Sequence, residues 1–167
     1  IWYNFYMEIR EFKLEDKKQI KDLLVELQKY VIEIDKYKLN ILSPSYRDKY
    51  FDYMLEDCKT QNGKIFVATD NEKVVAFISG FIQTYDERDL LDYTCPKKGI
   101  VAELIVDKNY RSCGIGNSLL STMENYFKQL GCKFIQIDVF AYNENAKHFY
   151  QKHNYEDRMV TMFKQIK

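Results

Sequence analysis

Residues 101–126 read VAELIVDKNYRSCGIGNSLLSTMENY, and this stretch decides the fold. Its first six residues, Val101 to Val106, are apolar and include β-branched side chains, which predicts a short buried strand. The segment RSCGIG at 111–116 follows as a loop. Apolar residues then recur at helical spacing at Ile115, Leu119, Leu120, Met123, Tyr126 and Phe127. The stretch therefore predicts a strand, a glycine-containing loop and a helix.

The loop has the properties of a phosphate-binding site. Gly114 and Gly116 let backbone N–H groups approach a ligand, and the free amides at a helix N-terminus carry partial positive charge. The sequence contains no G-x-x-x-x-G-K-[ST] motif, and Leu119 stands where the dinucleotide motif G-x-G-x-x-G has its third glycine. The pattern that does match is R-x-x-G-x-G, which begins at Arg111 after the L-x-V of residues 104–106.

A second motif lies one strand and one helix downstream. The segment FIQIDVF at 134–140 alternates like a strand, and a short helical pattern with Asn143, Ala146 and Tyr150 follows it. Together the two motifs resemble those of the GNAT N-acetyltransferase superfamily. That family has Lys-x-Gly-Phe where this chain has Lys-His-Asn-Tyr at 152–155. Asparagine often adopts positive φ at a helix end, so the departure is mild.

The resemblance implies an α/β fold, called α+β in some schemes, with a central mixed, mostly antiparallel sheet of six to seven strands flanked by about four helices. Patterns elsewhere predict strands at 7–12, 64–70, 73–83 and 159–164, helices at 14–35 and from Ser43-Pro44 to about 60, and a loop at 85–98. Residues 1–6 precede Met7 and are interpreted as an N-terminal extension, and residues 7–167 as a single acetyltransferase domain.

Composition excludes several classes of partner. The 25 basic and 25 acidic side chains cancel, so no overall field favours nucleic acid or an anionic membrane. No apolar run approaches the ~20 residues of a membrane span. The four cysteines form no C-x-x-C pair and have no zinc-binding spacing to the two histidines. We therefore expect a reduced, cytoplasmic protein that binds no metal, nucleic acid or membrane, and homodimerisation is left open.

The resemblance implies that acetyl-CoA is the cosubstrate. The backbone of Leu104, Ile105 and Val106 would lie along the pantetheine arm, with the Val106 N–H directed at the thioester carbonyl. The pyrophosphate would be bound by the loop residues Arg111, Ser112, Cys113, Gly114, Ile115, Gly116 and Asn117. In the second motif, which includes Ala146, the side chain of Asn143 would hydrogen-bond the pantetheine amide or would simply cap the helix that follows.

Two residues are candidates for proton transfer. The resemblance places Tyr150 at the family's tyrosine position, whose hydroxyl can protonate the departing sulfur; the alternative is a tyrosine that only packs against the sheet. Glu103 lies in an otherwise apolar strand, where a carboxylate is costly unless solvated or paired. It is the candidate base, and the alternatives are an anchor for a cationic acceptor or a structural ion pair. His148, His153 and Cys113 have less support.

The acceptor is the least defined feature. Glu26, Glu33 and Asp35 on the first helix are candidate outer carboxylates, although such charges are also common on solvated helix faces. With Glu103 they favour an N-acetyltransferase acting on a primary amine of a small cationic molecule such as a polyamine, an amino sugar or an amino acid. The alternatives are a protein N-terminus or lysine, or a non-catalytic CoA-binding regulatory module.

Overall fold

The computed structural model describes residues 7–166. Within that range the strands are Met7–Glu11 (β1), Lys64–Asp70 (β2), Lys73–Ile82 (β3), Lys98–Val106 (β4) and Phe134–Ile137 (β5). The α-helices are Lys17–Ile34 (α1), Tyr46–Thr60 (α2), Ile115–Gln129 (α3) and Glu144–Lys152 (α4). The strands form one sheet in the order β1-β2-β3-β4-β5, antiparallel except for the parallel pair β4–β5. The predicted extension at residues 1–6 lies outside the described range.

The predicted fold class is confirmed, because a mixed, mostly antiparallel sheet is flanked by four helices within the described range. The predicted number of six to seven strands is wrong, since residues 7–166 contain five. The closing strand predicted at 159–164 is absent: this segment forms no ladder with the sheet. Apolar and β-branched residues make a segment able to form a strand, but the strand exists only where a sheet edge pairs with it.

The sheet separates two apolar layers. Helices α1 and α2 cover one face, where Leu24 and Phe51 are fully buried against Phe77 of β3. Helix α3 covers the other face through Leu119 and Phe127. Each helix presents one apolar stripe to the sheet, as its sequence spacing predicts. No helix among residues 7–166 is both long enough and apolar enough to cross a membrane.

Strand β4 contains a β-bulge. Ser79 of β3 is paired with Glu103 whereas its neighbour Gly80 is paired with Val101, so Ala102 is an extra residue without a partner in β3. Because side chains alternate along a strand, one extra residue exchanges the faces to which all later side chains point. The bulge therefore divides β4 into two segments with opposite alternation.

The packing on either side of the bulge shows this exchange. Val101 before the bulge packs with α3, and so does Leu104, three residues later. Ile105 instead belongs to the layer beneath α1 and α2. Glu103 shares that second face and reaches Tyr50 of α2. The bulge thus places the carboxylate of Glu103 beneath α2 and away from α3.

Strands β4 and β5 diverge immediately before the bulge. Their pairing runs only from Lys98 with Phe134 to Val101 with Ile137, while β4 continues to Val106. The Asp107 N–H donates to the β3 side, to the Val75 carbonyl at 2.8 Å. Because adjacent residues direct their backbone groups to opposite sides, the amide of Val106 faces the unpaired edge. The end of β4 therefore offers free backbone groups beside the loop at 111–116.

Candidate active site

The loop between β4 and α3 has free amides at its end. Ser112 and Gly114 both have positive φ, 62° and 81°, and Gly114 forms the N-cap of α3. The first helical hydrogen bond runs from the Ser118 N–H to the Gly114 carbonyl at 3.1 Å. The amides of Ile115, Gly116 and Asn117 therefore have no acceptor within the helix. These free amides are the feature on which the expected phosphate-binding role of the loop rests.

The two glycines of the loop differ in what the protein itself requires of them. Gly114 has a backbone conformation that side chains disfavour, although a Cβ there would meet nothing within 4 Å. Gly116 has no such backbone constraint, and its added Cβ would make only an ordinary contact, 3.5 Å from the Phe149 ring. Neither the backbone nor the packing of this protein requires glycine at 116. A ligand that approaches the backbone closely would require it.

A hydrogen bond to the backbone holds the Arg111 side chain beside this loop. Its Nε donates to the carbonyl of Val106 at 3.1 Å, which uses a backbone acceptor at the open end of β4. The side chain is exposed, and no carboxylate pairs with it among residues 7–166. The guanidinium thus lies at the junction of the open strand edge and the free amides. Cys113 in the same loop is exposed and has a free thiol.

Asn143 begins α4 as its N-cap. Its Oδ1 accepts from the Ala146 N–H at 3.2 Å and from the Tyr30 hydroxyl of α1 at 3.4 Å. The capping interpretation of Asn143 therefore holds, and its Nδ2 has no partner among the described side chains. At the other end of α4, Asn154 has a φ of 63°, the conformation expected where the related family has glycine.

The ring of Tyr150 packs against other aromatic rings, whereas its hydroxyl has no hydrogen-bond partner among residues 7–166. Its ring is half-buried and edge-on to Phe149 and Tyr155, with centroid distances of 5.1 and 5.7 Å. The hydroxyl forms no hydrogen bond within the described part of the chain. Burial and then the negative charge of Glu103 raise the pKa of Tyr150 to about 12. The phenol therefore stays protonated at neutral pH and is available as a donor.

Glu103 lies at the wall of a small cavity between α2 and the sheet. The cavity has a volume of about 140 Å³ and is lined by Tyr50, Tyr53, Met54, Asp57, Phe81, Ala102 and Glu103. The Tyr50 hydroxyl donates to Glu103 Oε1. Burial raises the pKa of Glu103 to about 7, against the opposing effect of the hydrogen bond from Tyr50. At neutral pH this carboxyl is therefore near its midpoint of ionisation.

Tyrosines surround this carboxyl. The rings of Tyr46 and Tyr50 stack at 4.8 Å, and burial followed by the charge of Glu103 raises the pKa of each hydroxyl. Opposite Glu103 on β3, Ser79 is fully buried and its Oγ has no hydrogen-bond partner in residues 7–166. A buried hydroxyl without a protein partner is usually satisfied by water.

The residues of α2 that line this cavity are not among the site residues predicted from the sequence. The signal was present: Tyr46, Tyr50 and Tyr53 recur at helical spacing with Asp57 one turn further on. The sequence could not reveal that this stripe faces Glu103, because the bulge in β4 determines where Glu103 points.

The outer carboxylates predicted on the first helix are not part of the cavity lining. Asp35 is buried and accepts hydrogen bonds from Tyr37, Leu39 and Asn40 in the loop after α1. Burial would raise the pKa of Asp35, but these hydrogen bonds, first those of Asn40, lower it to about 2. Asp35 thus stabilises its own loop, and Glu26 and Glu33 are exposed.

The remaining candidates lie apart from the cavity. His148 is exposed on α4, and His153 Nδ1 lies 2.8 Å from the Phe149 carbonyl at the end of that helix. In the described range, no group of three or more His, Cys, Asp or Glu side chains is arranged to hold a metal ion.

The sequence of this chain matches a known family. The sequence profile of the Acetyltransferase (GNAT) family matches residues 30–155, and the chain therefore belongs to the GNAT acetyltransferase family. An uncharacterised N-acetyltransferase of Methanocaldococcus jannaschii is 39% identical over 63 residues, which are 37% of this chain and 40% of that protein. The chain spans less than half of the length of the curated relatives it matches.

Solved structures share the fold. A mutant of the BH1408 protein of Bacillus halodurans has a TM-score of 0.84 at 19% identity, over 95% of this chain and 99% of that one. Glucosamine-6-phosphate N-acetyltransferase of Arabidopsis thaliana has a TM-score of 0.67 at 22% identity, over 96% and 99% of the two chains. At these identities the likeness establishes the fold alone.

Replacing Glu103 with glutamine should change stability in a pH-dependent way. The pKa of Glu103 is raised from 4.5 to about 7 on folding, so its contribution to stability falls as pH rises through this window. Glu103→Gln removes that cost and keeps an acceptor for Tyr50. We expect thermal unfolding to show the variant more stable than wild type by about 2–3 kcal/mol at pH 8, with little difference at pH 4.

Glu26→Gln is the matched control, because it removes an exposed carboxylate. Its effect on the melting temperature should be small and similar at both pH values. An equal loss of stability at pH 4 and pH 8 in Glu103→Gln would show that the Glu103 carboxyl does not have a raised pKa in the folded protein.

Proposed function

We propose that this chain is an acetyl-CoA-dependent N-acetyltransferase that acts on the primary amine of a small cationic acceptor. The observation that carries the proposal is the cavity in which tyrosines surround Glu103, a carboxyl with a pKa of about 7. This cavity lies beside β4, and the C-terminal end of β4 leads into the glycine loop at 111–116. Membership of the GNAT family supplies the class of reaction.

The donor residues fit acetyl-CoA, which when bound supplies an activated acetyl thioester. The free amides of the loop and the Arg111 guanidinium are suited to a pyrophosphate. The backbone of residues 104–106 along the open edge of β4 is suited to the extended pantetheine arm, as an added strand would be. The Val106 N–H is then a donor to the thioester carbonyl, and Asn143 Nδ2 a donor to a pantetheine amide.

The acceptor residues fit an ammonium group. Aromatic faces and a carboxylate both attract a cation, and the cavity combines Tyr50, Tyr53 and Phe81 with Glu103 and Asp57. Transfer needs the neutral amine, so a group must also remove a proton. A carboxyl with a pKa of about 7 serves as that base near neutral pH. The unpartnered Ser79 hydroxyl supports a water between the amine and Glu103.

The need for a neutral amine favours some acceptors over others. Near neutral pH a lysine-type amine of pKa ~10.4 is almost entirely protonated, whereas an α-amino group of pKa ~8 has an appreciable neutral fraction. We therefore favour an amino acid, or an amino sugar whose oxygens lower the amine pKa, over a polyamine. The α-amine of a peptide N-terminus meets the same condition and is the second candidate.

Tyr150 is the proposed acid for the departing thiolate. Its free hydroxyl and its pKa of about 12 keep it protonated until charge develops on the sulfur. The same high pKa makes complete proton transfer to the sulfur costly. Tyr150 therefore stabilises the departing thiolate first by donating a hydrogen bond, and then by transferring the proton.

Acetyl-CoA binding should depend on Gly116 more than folding does. Gly116→Ala adds a methyl group for which the protein has room, so thermal stability should be kept or raised. Titration calorimetry should show at least a tenfold loss of acetyl-CoA affinity, because the methyl group stands where phosphate approaches the backbone. Gly114→Glu should abolish binding. Ser121→Ala, on an exposed part of α3, should bind as wild type. Unchanged acetyl-CoA affinity in a folded Gly116→Ala variant would show that the loop does not bind acetyl-CoA.

Tyr150→Phe should lower kcat by about 10- to 10³-fold with little change in acetyl-CoA affinity, since only the hydroxyl is lost and the ring packing is kept. Steady-state kinetics and calorimetry on the same preparation separate the two effects. Phe149→Leu is a control that changes the packing of α4 and retains the hydroxyl. A Tyr150→Phe enzyme with the wild-type rate would exclude the acid role.

Acceptor identity can be tested with amines of graded pKa by release of free CoA. We expect α-amines and amino sugars to exceed polyamines in kcat/KM at pH 7.5. For the best amine, kcat/KM should rise with pH through about 7, and Glu103→Gln should lower the rate and flatten that rise. Asp57→Asn, which removes the other carboxylate of the cavity, should raise KM and keep the pH profile. A Glu103→Gln variant with both the wild-type rate and profile would place the base elsewhere.

A further inference from the structure

Tyr50 is the only hydrogen-bond donor to the Glu103 carboxylate within residues 7–166. Its hydroxyl donates to Oε1. None of the lysine, arginine and histidine side chains in that range forms an ion pair with Glu103. The one polar protein contact that can orient this carboxylate therefore comes from a tyrosine of α2.

Two features of the fold produce this contact. Tyr46 and Tyr50 lie one turn apart on α2, and their rings stack with a centroid distance of 4.8 Å and an angle of 21° between the planes. Tyr46 packs against the apolar layer beneath α1 and α2, so the stack restricts the orientation of the Tyr50 ring. On the sheet side, the β-bulge at Ala102 directs Glu103 to this face. The helix and the strand therefore fix the contact together.

Other titratable groups lie near Glu103 without a hydrogen bond to it in the described range. Burial and then the negative charge of Glu103 raise the pKa of Tyr46 on α2 and of Tyr150 on α4. Asp57, also on α2, lines the same cavity. Two neutral phenols that make no hydrogen bond and a second carboxylate do not stabilise the ionised form of this carboxyl. The Tyr50 hydroxyl is the neighbouring group that does.

The two oxygens of the carboxylate have different surroundings as a result. Oε1 accepts from Tyr50, whereas Oε2 has no hydrogen-bond partner in residues 7–166. A proton from an ammonium group can then bind at Oε2: an N–H bond breaks, an O–H bond forms, and the electron pair stays on the nitrogen, which becomes the nucleophile. A hydrogen bond to the charged form of a carboxyl favours that form. The Tyr50 hydrogen bond accordingly lowers the pKa of Glu103, against the larger effect of burial, which raises it.

We propose that Tyr50 is a positioning residue for Glu103, which holds the carboxylate by Oε1, directs Oε2 to the acceptor ammonium and keeps the ionised form populated near neutral pH. Tyr50 itself exchanges no proton in this step. The inference rests on the proposed function, because it takes Glu103 to be the base, and it adds the residue that sets the pH range in which that base works.

Tyr50→Phe tests this role, because it keeps the ring and its stacking on Tyr46 and removes only the hydroxyl. Carbon-13 NMR of protein labelled at glutamate carboxyls, with the Glu103 signal assigned by its loss in Glu103→Gln, follows the ionisation of this group without any acetyl transfer. We expect the midpoint to rise by about one pH unit in Tyr50→Phe, the shift expected when a carboxylate loses a charge-assisted hydrogen bond. For the best amine, kcat/KM should fall about tenfold at pH 6 and recover toward the wild-type value by about pH 9.5.

Tyr46→Phe is the matched control, because it removes the neighbouring hydroxyl and keeps both the ring stack and the hydrogen bond to Oε1. Its carboxyl midpoint should equal that of the wild type. Tyr50→Leu, which also lacks a donor, should raise the midpoint as Tyr50→Phe does, and melting curves check that each variant is folded.

The two readouts separate this inference from the proposed function. An unchanged carboxyl midpoint in the folded Tyr50 variants would overturn the inference alone. A raised midpoint with an unchanged pH profile of kcat/KM would show that Glu103 is not the base, and would overturn that part of the proposed function together with the role of Tyr50.

Discussion

The site depends on one extra residue in β4. Ala102 has no partner in β3, and the parallel pairing with β5 ends at Val101, immediately before it. A bulge bends its strand and shifts every later side chain to the opposite face. Without it, Glu103 would point into the apolar layer under α3. One inserted residue thus directs the carboxylate to the tyrosines of α2 and coincides with the separation that leaves the end of β4 unpaired.

Burying Glu103 among aromatic rings opposes folding at neutral pH and above. A rise in pKa from 4.5 to about 7 corresponds to about 3 kcal/mol, a large part of the 5–15 kcal/mol that typically stabilises a domain. The hydrogen bond from Tyr50 offsets part of this effect. Packing with α2 does not require a carboxylate at 103, because an apolar side chain would fill the same face. A carboxylate at such a cost to stability is a candidate functional group, which is the basis for the role proposed for Glu103.

The parts predicted correctly from the sequence are those that local chemistry determines. The positive φ of Asn154 follows from residue type and position, and the apolar stripe of α3 follows from spacing. The contact of Tyr50 with Glu103 joins residues 53 positions apart, and its existence depends on the register of β4. Asp35 was predicted to be an outer carboxylate of the acceptor site, but its side chain accepts hydrogen bonds from the loop after α1. The charge pattern of a helix does not reveal that a following loop hydrogen-bonds to one of its carboxylates.

The strand predicted at 159–164 does not form, because the local sequence determines only whether a segment can pair and not whether it does. The apolar residues at 159–164 make this segment able to pair with a sheet edge, and this information is local. Whether the segment pairs depends on contacts that are distant in sequence, here the ion pair of Asp157 with Lys147 and the hydrogen bond from Tyr37 to the Phe163 carbonyl. The sequence pattern therefore indicates which segments can join a sheet, and the contacts of the whole chain determine which of them do.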